Sequence, residues 1–99
     1  MEQPVYKVWM MKYTDAWYKL TQEEKQAFEA KNAEALKSVG GELVMVRMCV
    51  WASDEWLGWG VEKFPNMEAA QAYAMALFAL NHYQYIQSTS YLGIEMPPM

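Results

Sequence analysis

Three segments of the chain, residues 5–13, 42–51 and 55–64, are apolar or aromatic at almost every position. An antiparallel sheet with one face in water alternates apolar and polar residues, so these segments predict strands that are covered on both faces. Two short helices can cover only one face of such a sheet. We therefore expect a second copy of the same chain to cover the other face.

Capping and turn residues place the first helix between the first two strands. Thr21 followed three residues later by Glu24 is a capping-box pattern, and the glycine pair at 40–41 is typical of a helix end. These signals predict a helix over residues 22–38. Its narrow apolar stripe indicates that one side faces the sheet and the other faces water.

A second helix is predicted after the third strand. Asn66 can cap a helix from Met67 to about Asn81, and apart from Glu68 this helix has no charged residue. A helix that is apolar nearly all round is typical of burial on several sides. A polar and aromatic stretch follows, and residues 92–96 predict a short last strand.

The predicted order strand, helix, strand, strand, helix, strand is the ferredoxin-like βαββαβ arrangement, an α+β fold with two helices on one face of a four-stranded antiparallel sheet. This order, the Trp-Gly-Val-Glu-Lys-Phe-Pro run at 59–65 and the final Tyr-Leu-Gly-Ile at 91–94 resemble the dimeric α+β barrel superfamily. The resemblance implies a homodimer in which two sheets pack through their open faces into a barrel. The superfamily includes cofactor-free monooxygenases, polyketide cyclases, muconolactone isomerases, haem-degrading enzymes and stress proteins, and fold membership does not select among them.

Length and composition restrict the number of domains and the possible partners and cofactors. With 99 residues the chain is expected to form one domain over residues 1–99. A net charge of −4 and dispersed cations argue against nucleic acid as a partner. The start at residues 1–4 lacks a secretory signal, and the longest apolar stretch, residues 69–80, is too short to span a membrane, so we expect a cytoplasmic protein with no membrane partner. Nucleotide, phosphate-loop, HExxH and CxxC motifs are absent, the lone Cys49 offers no metal set, and no cofactor is predicted.

Strand alternation assigns side chains to the two faces. In the second strand the wholly apolar set, Val44, Val46, Met48 and Val50, is expected under the helices. We expect the same face to carry Tyr6, Val8, Met10, Leu57, Trp59 and Val61. The barrel side is then expected to carry Lys7, Trp9, Met11, Tyr13, Leu43, Met45, Arg47, Cys49, Trp51, Trp56, Gly58, Gly60, Glu62 and Phe64.

This assignment places Arg47 and Glu62 on one enclosed surface, where a charge needs a partner. One interpretation is a structural ion pair within or between subunits. The other is a ligand site in which Arg47 anchors a carboxylate or phenolate and Glu62 orients the ligand or accepts a proton. Lys7 adds a further cation to the same surface.

His82 is the only histidine and the default acid–base candidate, since its pKa lies nearest neutrality. It can instead simply end the second helix and interact with the negative end of its dipole. The resemblance adds a third possibility, because haem-degrading members use a histidine on the corresponding helix as an axial iron ligand.

These residues predict a homodimer that binds a small apolar or aromatic ligand in a cavity shaped by Trp9, Tyr13 and Trp56. The first hypothesis is a cofactor-independent monooxygenase, isomerase or cyclase in which Glu62 or His82 moves a proton. The second is a ligand-binding or interaction module without catalytic activity. The third is a haem-binding or haem-degrading protein that uses His82.

Overall fold

The chain folds into one four-stranded antiparallel sheet with its helices on one face, in a computed structural model that describes residues 3–98. The elements are β1 (Val5–Tyr13), α1 (Asp15–Tyr18), α2 (Gln22–Ser38), β2 (Glu42–Met48), β3 (Gly58–Phe64), α3 (Met67–Ala79), α4 (His82–Tyr85) and β4 (Ile86–Ile94). The predicted ferredoxin-like α+β fold is confirmed. Met1 and Glu2, which contributed to the expectation of no secretory signal, lie outside the described residues.

The predicted element boundaries agree best where capping chemistry marks them. The capping box of Thr21 and Glu24 forms with both hydrogen bonds present, and α2 has the predicted bounds. Asn66 likewise caps α3 by accepting a hydrogen bond from the backbone of Ala69. The largest difference is at β4, which begins at residue 86 and not at 92, because its polar residues pair with β1 along nine positions.

The sheet order is β2-β3-β1-β4, so β1 and β3 are the central strands. Val5 pairs with Phe64, Lys7 with Glu62 and Trp9 with Gly60 across these two strands. β2 is an edge strand, and its register against β3 shifts between Leu43 and Met45. Such a bulge changes which face the following side chains occupy.

The hydrophobic core identifies the face that the helices cover. Its buried members are Val5, Leu36, Phe64, Ala70, Tyr73 and Leu77, contributed by β1, β3, α2 and α3. The odd-numbered side chains of β1 and the even-numbered side chains of β3 therefore lie under the helices. The opposite surface, here called the open face, carries Tyr6, Val8, Met10, Lys12, Met45, Arg47, Trp59, Val61, Lys63, Thr89 and Tyr91.

The predicted faces of β1 and β3 were therefore wrong, although Met45 and Arg47 of β2 do lie on the open face as expected. The prediction placed the most apolar set of each strand under the helices. Both faces of this sheet are largely apolar, so polarity does not distinguish them. The charged residues Lys7 and Glu62 lie beneath the helices because a cavity in that layer accommodates them.

The outer side of α3 differs from the expectation of a helix buried on several sides. Tyr73 and Leu77 are buried against the sheet, but Met75 is 68% and Phe78 is 72% exposed. α3 thus has one covered face and one apolar face in water. Among residues 3–98, no helix has the length and apolarity needed to cross a bilayer.

The subunit is flat, with extents of 47 × 31 × 17 Å, and its accessible surface is 7178 Å². A folded monomer of 11.5 kDa is expected to expose about 5,800 Å². The excess arises where a sheet with apolar side chains on both faces has helices on only one of them. Val8, for example, is 42% exposed at the centre of the open face.

Replacing Gly60 by alanine is expected to disturb the centre of the sheet. An alanine Cβ at position 60 overlaps Cζ2 of Trp9, so the indole must move. We expect the free energy of unfolding to fall by about 1–3 kcal/mol, as in other overpacked cores. Urea denaturation followed by tryptophan fluorescence measures the change.

The matched control is Gly93→Ala in β4, where an added Cβ has no neighbour within 4 Å. This variant is expected to stay within about 0.5 kcal/mol of the unmodified protein. Equal stabilities for the two variants contradict the close packing of Trp9 on Gly60.

Candidate functional site

A cavity of about 500 Å³ lies between the sheet and the helices. It is hereafter called the helix–sheet cavity. Most of its walls are apolar, and a few polar side chains converge on it. The principal lining residues are Lys7, Trp9, Met11 and Tyr13 of β1, Phe28, Asn32 and Leu36 of α2, Glu62 of β3, Tyr73 and Leu77 of α3, His82 of α4, and Ser88 and Ser90 of β4.

Glu62 is the buried polar residue of this cavity, with 6% of its surface exposed. The hydroxyl of Tyr73 donates a hydrogen bond to its Oε2 over 3.3 Å, and the Trp9 side chain donates a second bond to the same carboxylate. Burial raises the pKa of Glu62, while Lys7 and these two donors oppose that shift. Burial and the carboxylate raise the pKa of Tyr73, so its hydroxyl remains protonated and able to donate.

Lys7 faces Glu62 directly across the β1–β3 pair. Its Nζ also lies over the ring of Tyr73, 5.4 Å from the centroid, which is within the range of a cation–π contact. Burial lowers the pKa of Lys7, and the charge of Glu62 raises it. The two charges therefore depend on each other, and both contact the same tyrosine.

His82 begins α4, directly after Asn81, whose φ of 56° reverses the chain direction. Its Nδ1 lies 2.9 Å from Oδ1 of Asn32 in α2. The amide nitrogen of Asn32 donates to the carbonyl of Phe28 over 2.8 Å, so the amide oxygen is the atom that faces the histidine. Nδ1 must then carry a proton to donate to that oxygen, and in the neutral ring Nε2 bears a lone pair.

Aromatic neighbours hold the imidazole ring of His82. Phe28 stacks on it with centroids 5.7 Å apart, and Tyr83 contacts it edge-on at 5.1 Å. Burial, with a smaller effect from the charge of Lys7, lowers the pKa of His82 to about 4. The imidazole is therefore neutral at pH 7.

Tyr13 lines the cavity, and aromatic residues of α1 pack against its ring. Tyr13 stacks on Trp17, with ring centroids 4.3 Å apart, and Tyr18 meets Tyr13 edge-on. Trp17 is buried and in turn contacts Phe28, so the aromatic contacts continue to the ring that supports His82. Burial raises the pKa of Tyr13, which leaves its hydroxyl protonated at neutral pH.

The structure brings together five of the seven predicted site residues. Lys7, Trp9, Tyr13, Glu62 and His82 all line the helix–sheet cavity. They lie on the helix-covered side of the sheet, however, and not in the space between two facing sheets. The expected ligand site and the expected dimer surface are thus on opposite faces.

Arg47 and Trp56 lie outside the cavity lining. Arg47 is on the open face, opposite Trp59 in the strand pairing, and its Nη1 donates to the carbonyl of Val46. The predicted pairing of Arg47 with Glu62 is therefore wrong, because the two side chains occupy opposite faces of the sheet. Trp56 instead contacts the ammonium group of Lys12.

Sequence reasoning missed Asn32 and Tyr73, which position the polar groups of the site. Asn32 lies four residues after Phe28 and four before Leu36, so all three share the sheet-facing side of α2. The signal in the sequence that could have identified Asn32 was a polar amide within an apolar stripe of the helix. Within residues 3–98, no three His, Cys, Asp or Glu side chains converge as a set of metal ligands.

Solved structures share this fold at low sequence identity. A mutant chlorite dismutase from Candidatus Nitrospira defluvii matches with a TM-score of 0.76 and 12% identity, over 99% of this chain and 42% of that one. A protein of unknown function from Rhodopseudomonas palustris matches with a TM-score of 0.64 and 16% identity, over 99% and 86% of the two chains. A dimeric ferredoxin-like protein of unknown function from Thermobifida fusca matches with a TM-score of 0.59 and 10% identity, over 96% and 93%.

These matches confirm the fold that the resemblance implies. The chain spans less than half the length of the chlorite dismutase that it matches. No protein-family model and no curated protein matches the sequence. The residues that line the cavity therefore carry the functional argument.

Removing either charge of the Lys7 and Glu62 pair is expected to destabilise the protein, because the remaining charge stays partly buried without its partner. We expect Glu62→Gln and Lys7→Met each to lower the free energy of unfolding by about 1–3 kcal/mol. The double variant is expected to lose less than the sum, by about 1 kcal/mol. Urea denaturation of all four proteins tests this, and strictly additive losses contradict the coupling.

The depressed pKa of His82 predicts a stability that depends on pH. The folded protein binds this proton only near pH 4, whereas the unfolded chain binds it near 6.5, so acid favours the unfolded chain between these values. We expect His82 to contribute its full stability above pH 6.5 and to lose about 1–2 kcal/mol on the way to pH 4, after solvent screening. The measurement is urea denaturation across this range, and parallel curves for the unmodified protein and His82→Phe refute the assignment.

Proposed function

We propose that this protein is a homodimer that binds a small apolar or aromatic ligand in the helix–sheet cavity of each subunit. We further propose that it acts on the ligand as a cofactor-independent enzyme of the monooxygenase, isomerase or cyclase type. The observation that carries the proposal is a cavity of about 500 Å³ with mainly apolar walls, lined by a histidine whose Nδ1 is hydrogen-bonded to Asn32.

The size and lining of the cavity support ligand binding. Ligand sites typically enclose about 300–1,000 Å³, with mostly apolar walls and a few convergent polar groups. The cavity offers flat aromatic surfaces from Trp9 and Phe28 to a ring system, and Met11 adds a polarisable thioether. Glu62 and His82 are among the polar side chains of these walls, and such groups give a bound ligand a defined orientation.

His82 is the residue best suited to accept a proton from the ligand. Its Nδ1 is bonded to Asn32, so Nε2 is the basic atom that remains. Because its pKa is low, His82 is a weak base when no ligand is bound. The charge of Lys7 is one of the causes of this low pKa. Negative charge that develops on the ligand near Lys7 offsets this effect and favours the imidazolium as the proton transfers.

Glu62 has a positioning role in this proposal, in place of the proton-accepting role considered from the sequence. Its carboxylate already accepts hydrogen bonds from Trp9 and Tyr73 and faces the ammonium group of Lys7. These contacts hold the side chains of Trp9 and Tyr73 in place beside the charge of Lys7. Glu62 therefore orders one wall of the cavity while His82 performs the proton transfer.

The open face supports the homodimer. The subunit exposes more than 1,000 Å² beyond the surface expected for a monomer of its mass, and a typical stable interface buries about 800 Å² on each partner. Apolar side chains such as Val8, Met10 and Val61 occupy the centre of that face. Similar folds from Thermobifida fusca and Bacteroides fragilis are described as dimeric.

Ligand binding is tested by titrating the protein with 2-naphthol, a two-ring aromatic probe, and following tryptophan fluorescence. Saturable quenching with one probe per subunit is expected, because Trp9 lines the cavity. Ser88→Phe fills the cavity from β4 and is expected to weaken binding at least tenfold. Gln87→Phe, on the opposite face of the same strand, serves as the control and is expected to bind normally. Unsaturable quenching, or equal binding by both variants, rejects the cavity as the ligand site.

The homodimer is tested by sedimentation velocity at micromolar concentration. The unmodified protein is expected to sediment as a dimer, and Val8→Lys to sediment as a monomer because it places two unpaired charges in the interface. Met75→Lys, on the exposed side of α3, is the control and should remain dimeric. A monomeric unmodified protein refutes the proposal.

Haem binding is the second candidate function, and one observation favours it. A histidine whose Nδ1–H is bonded to an oxygen, with Nε2 open to a cavity, is a common arrangement of metal-ligating histidines. Addition of hemin is then expected to give an absorbance band that is lost in His82→Ala. Absence of the band rejects this candidate. If the protein binds the aromatic probe but neither binds hemin nor converts a ligand, the hypothesis of a binding module without catalytic activity holds.

A further inference from the structure

The contacts of His82 restrict the chemistry of the ligand. Among residues 3–98, every buried side-chain nitrogen or oxygen has a hydrogen-bond partner. Nε2 of His82 makes no hydrogen bond within this part of the chain, so it is not fully buried, and the ring to which it belongs lines the cavity. A neutral ring with its proton on Nδ1 presents an acceptor, and not a donor, to anything bound there.

Asn32 determines that Nε2, and not Nδ1, is the hydrogen-bond acceptor of His82. Its amide nitrogen is already committed to the carbonyl of Phe28, one turn earlier in α2, so an amide flip exchanges that bond for a contact between two oxygens. Its Oδ1 therefore remains an acceptor, and the proton of His82 is held on Nδ1. Stacking of Phe28 on the imidazole keeps the ring in the plane that this bond needs.

We infer that the helix–sheet cavity selects ligands that carry a neutral hydroxyl, bound as a hydrogen-bond donor to Nε2 of His82, and that Asn32 is the positioning residue that creates this selectivity. The matching ligand class is a phenol, an enol or an alcohol on an apolar frame. An ether or ketone of the same shape brings a second lone pair against Nε2 and is disfavoured. This inference rests on the proposed function, since it takes the cavity as the ligand site.

The tautomer can be observed directly because His82 is the only histidine. Tag-free protein labelled with ¹⁵N-histidine gives one ring, whose long-range ¹H–¹⁵N correlations show which nitrogen is protonated. We expect a protonated Nδ1 and an unprotonated Nε2 at pH 7. Protonation mainly at Nε2 overturns the inference.

Selectivity is measured by comparing 2-naphthol with 2-methoxynaphthalene, which has the same ring system but no donor. One hydrogen bond is expected to favour 2-naphthol by roughly tenfold in the unmodified protein. In His82→Phe the preference is expected to disappear while both probes still bind. Equal affinity of the two probes for the unmodified protein overturns the inference but leaves the ligand cavity intact.

Asn32→Leu tests the positioning role. Without the amide oxygen the ring can place its proton on Nε2, so we expect the NMR signature to change and the preference for 2-naphthol to fall towards unity or reverse. Gln26→Leu makes the same amide-to-leucine change on the exposed side of α2 and is expected to alter neither. An unchanged tautomer and preference in Asn32→Leu refute the role of Asn32.

Failure of both probes to bind the unmodified protein rejects the proposed function, and the inference falls with it.

Discussion

The rest of the structure depends on the burial of one carboxylate between the sheet and the helices. Glu62 is 6% exposed and accepts hydrogen bonds from Trp9 of β1 and Tyr73 of α3, while Lys7 faces it across the strand pair. A carboxylate without these partners is costly to bury. Because Glu62 lies on β3 and its partners lie on β1 and α3, the layers cannot separate or slide without leaving a charge unsatisfied.

Contacts at two ends of the helix–sheet cavity hold its walls. At one end the indole of Trp9, which donates to Glu62, packs closely against Gly60. The aromatic contacts from Tyr13 through Trp17 to Phe28 support the other end, where Asn32 and His82 meet. The space between these two polar groups is bordered mainly by apolar side chains, which makes it suitable for a ligand with a polar group on an apolar frame.

The two faces of the sheet have separate tasks in this arrangement. The helix-covered face holds the cavity, and the open face is the surface proposed above for the second subunit. The proposed dimer accounts for the apolar residues on both sides of strands such as β1, since each side then has its own cover. Val8 and the residues around His82 lie on opposite sides of the sheet, so a change at Val8 does not touch the cavity.

The sequence by itself determined the α+β class, the bounds of β1 and α2, and five of the cavity residues, because capping boxes, apolar runs and rare polar residues are local signals. It did not determine which face of the sheet the helices cover, since both faces are apolar and a one-residue change of phase exchanges them. The tertiary structure separated Arg47 from Glu62 and joined Asn32 to His82, which are 50 residues apart. That second contact decides which histidine nitrogen is basic, and only a hydrogen bond formed by folding can do so.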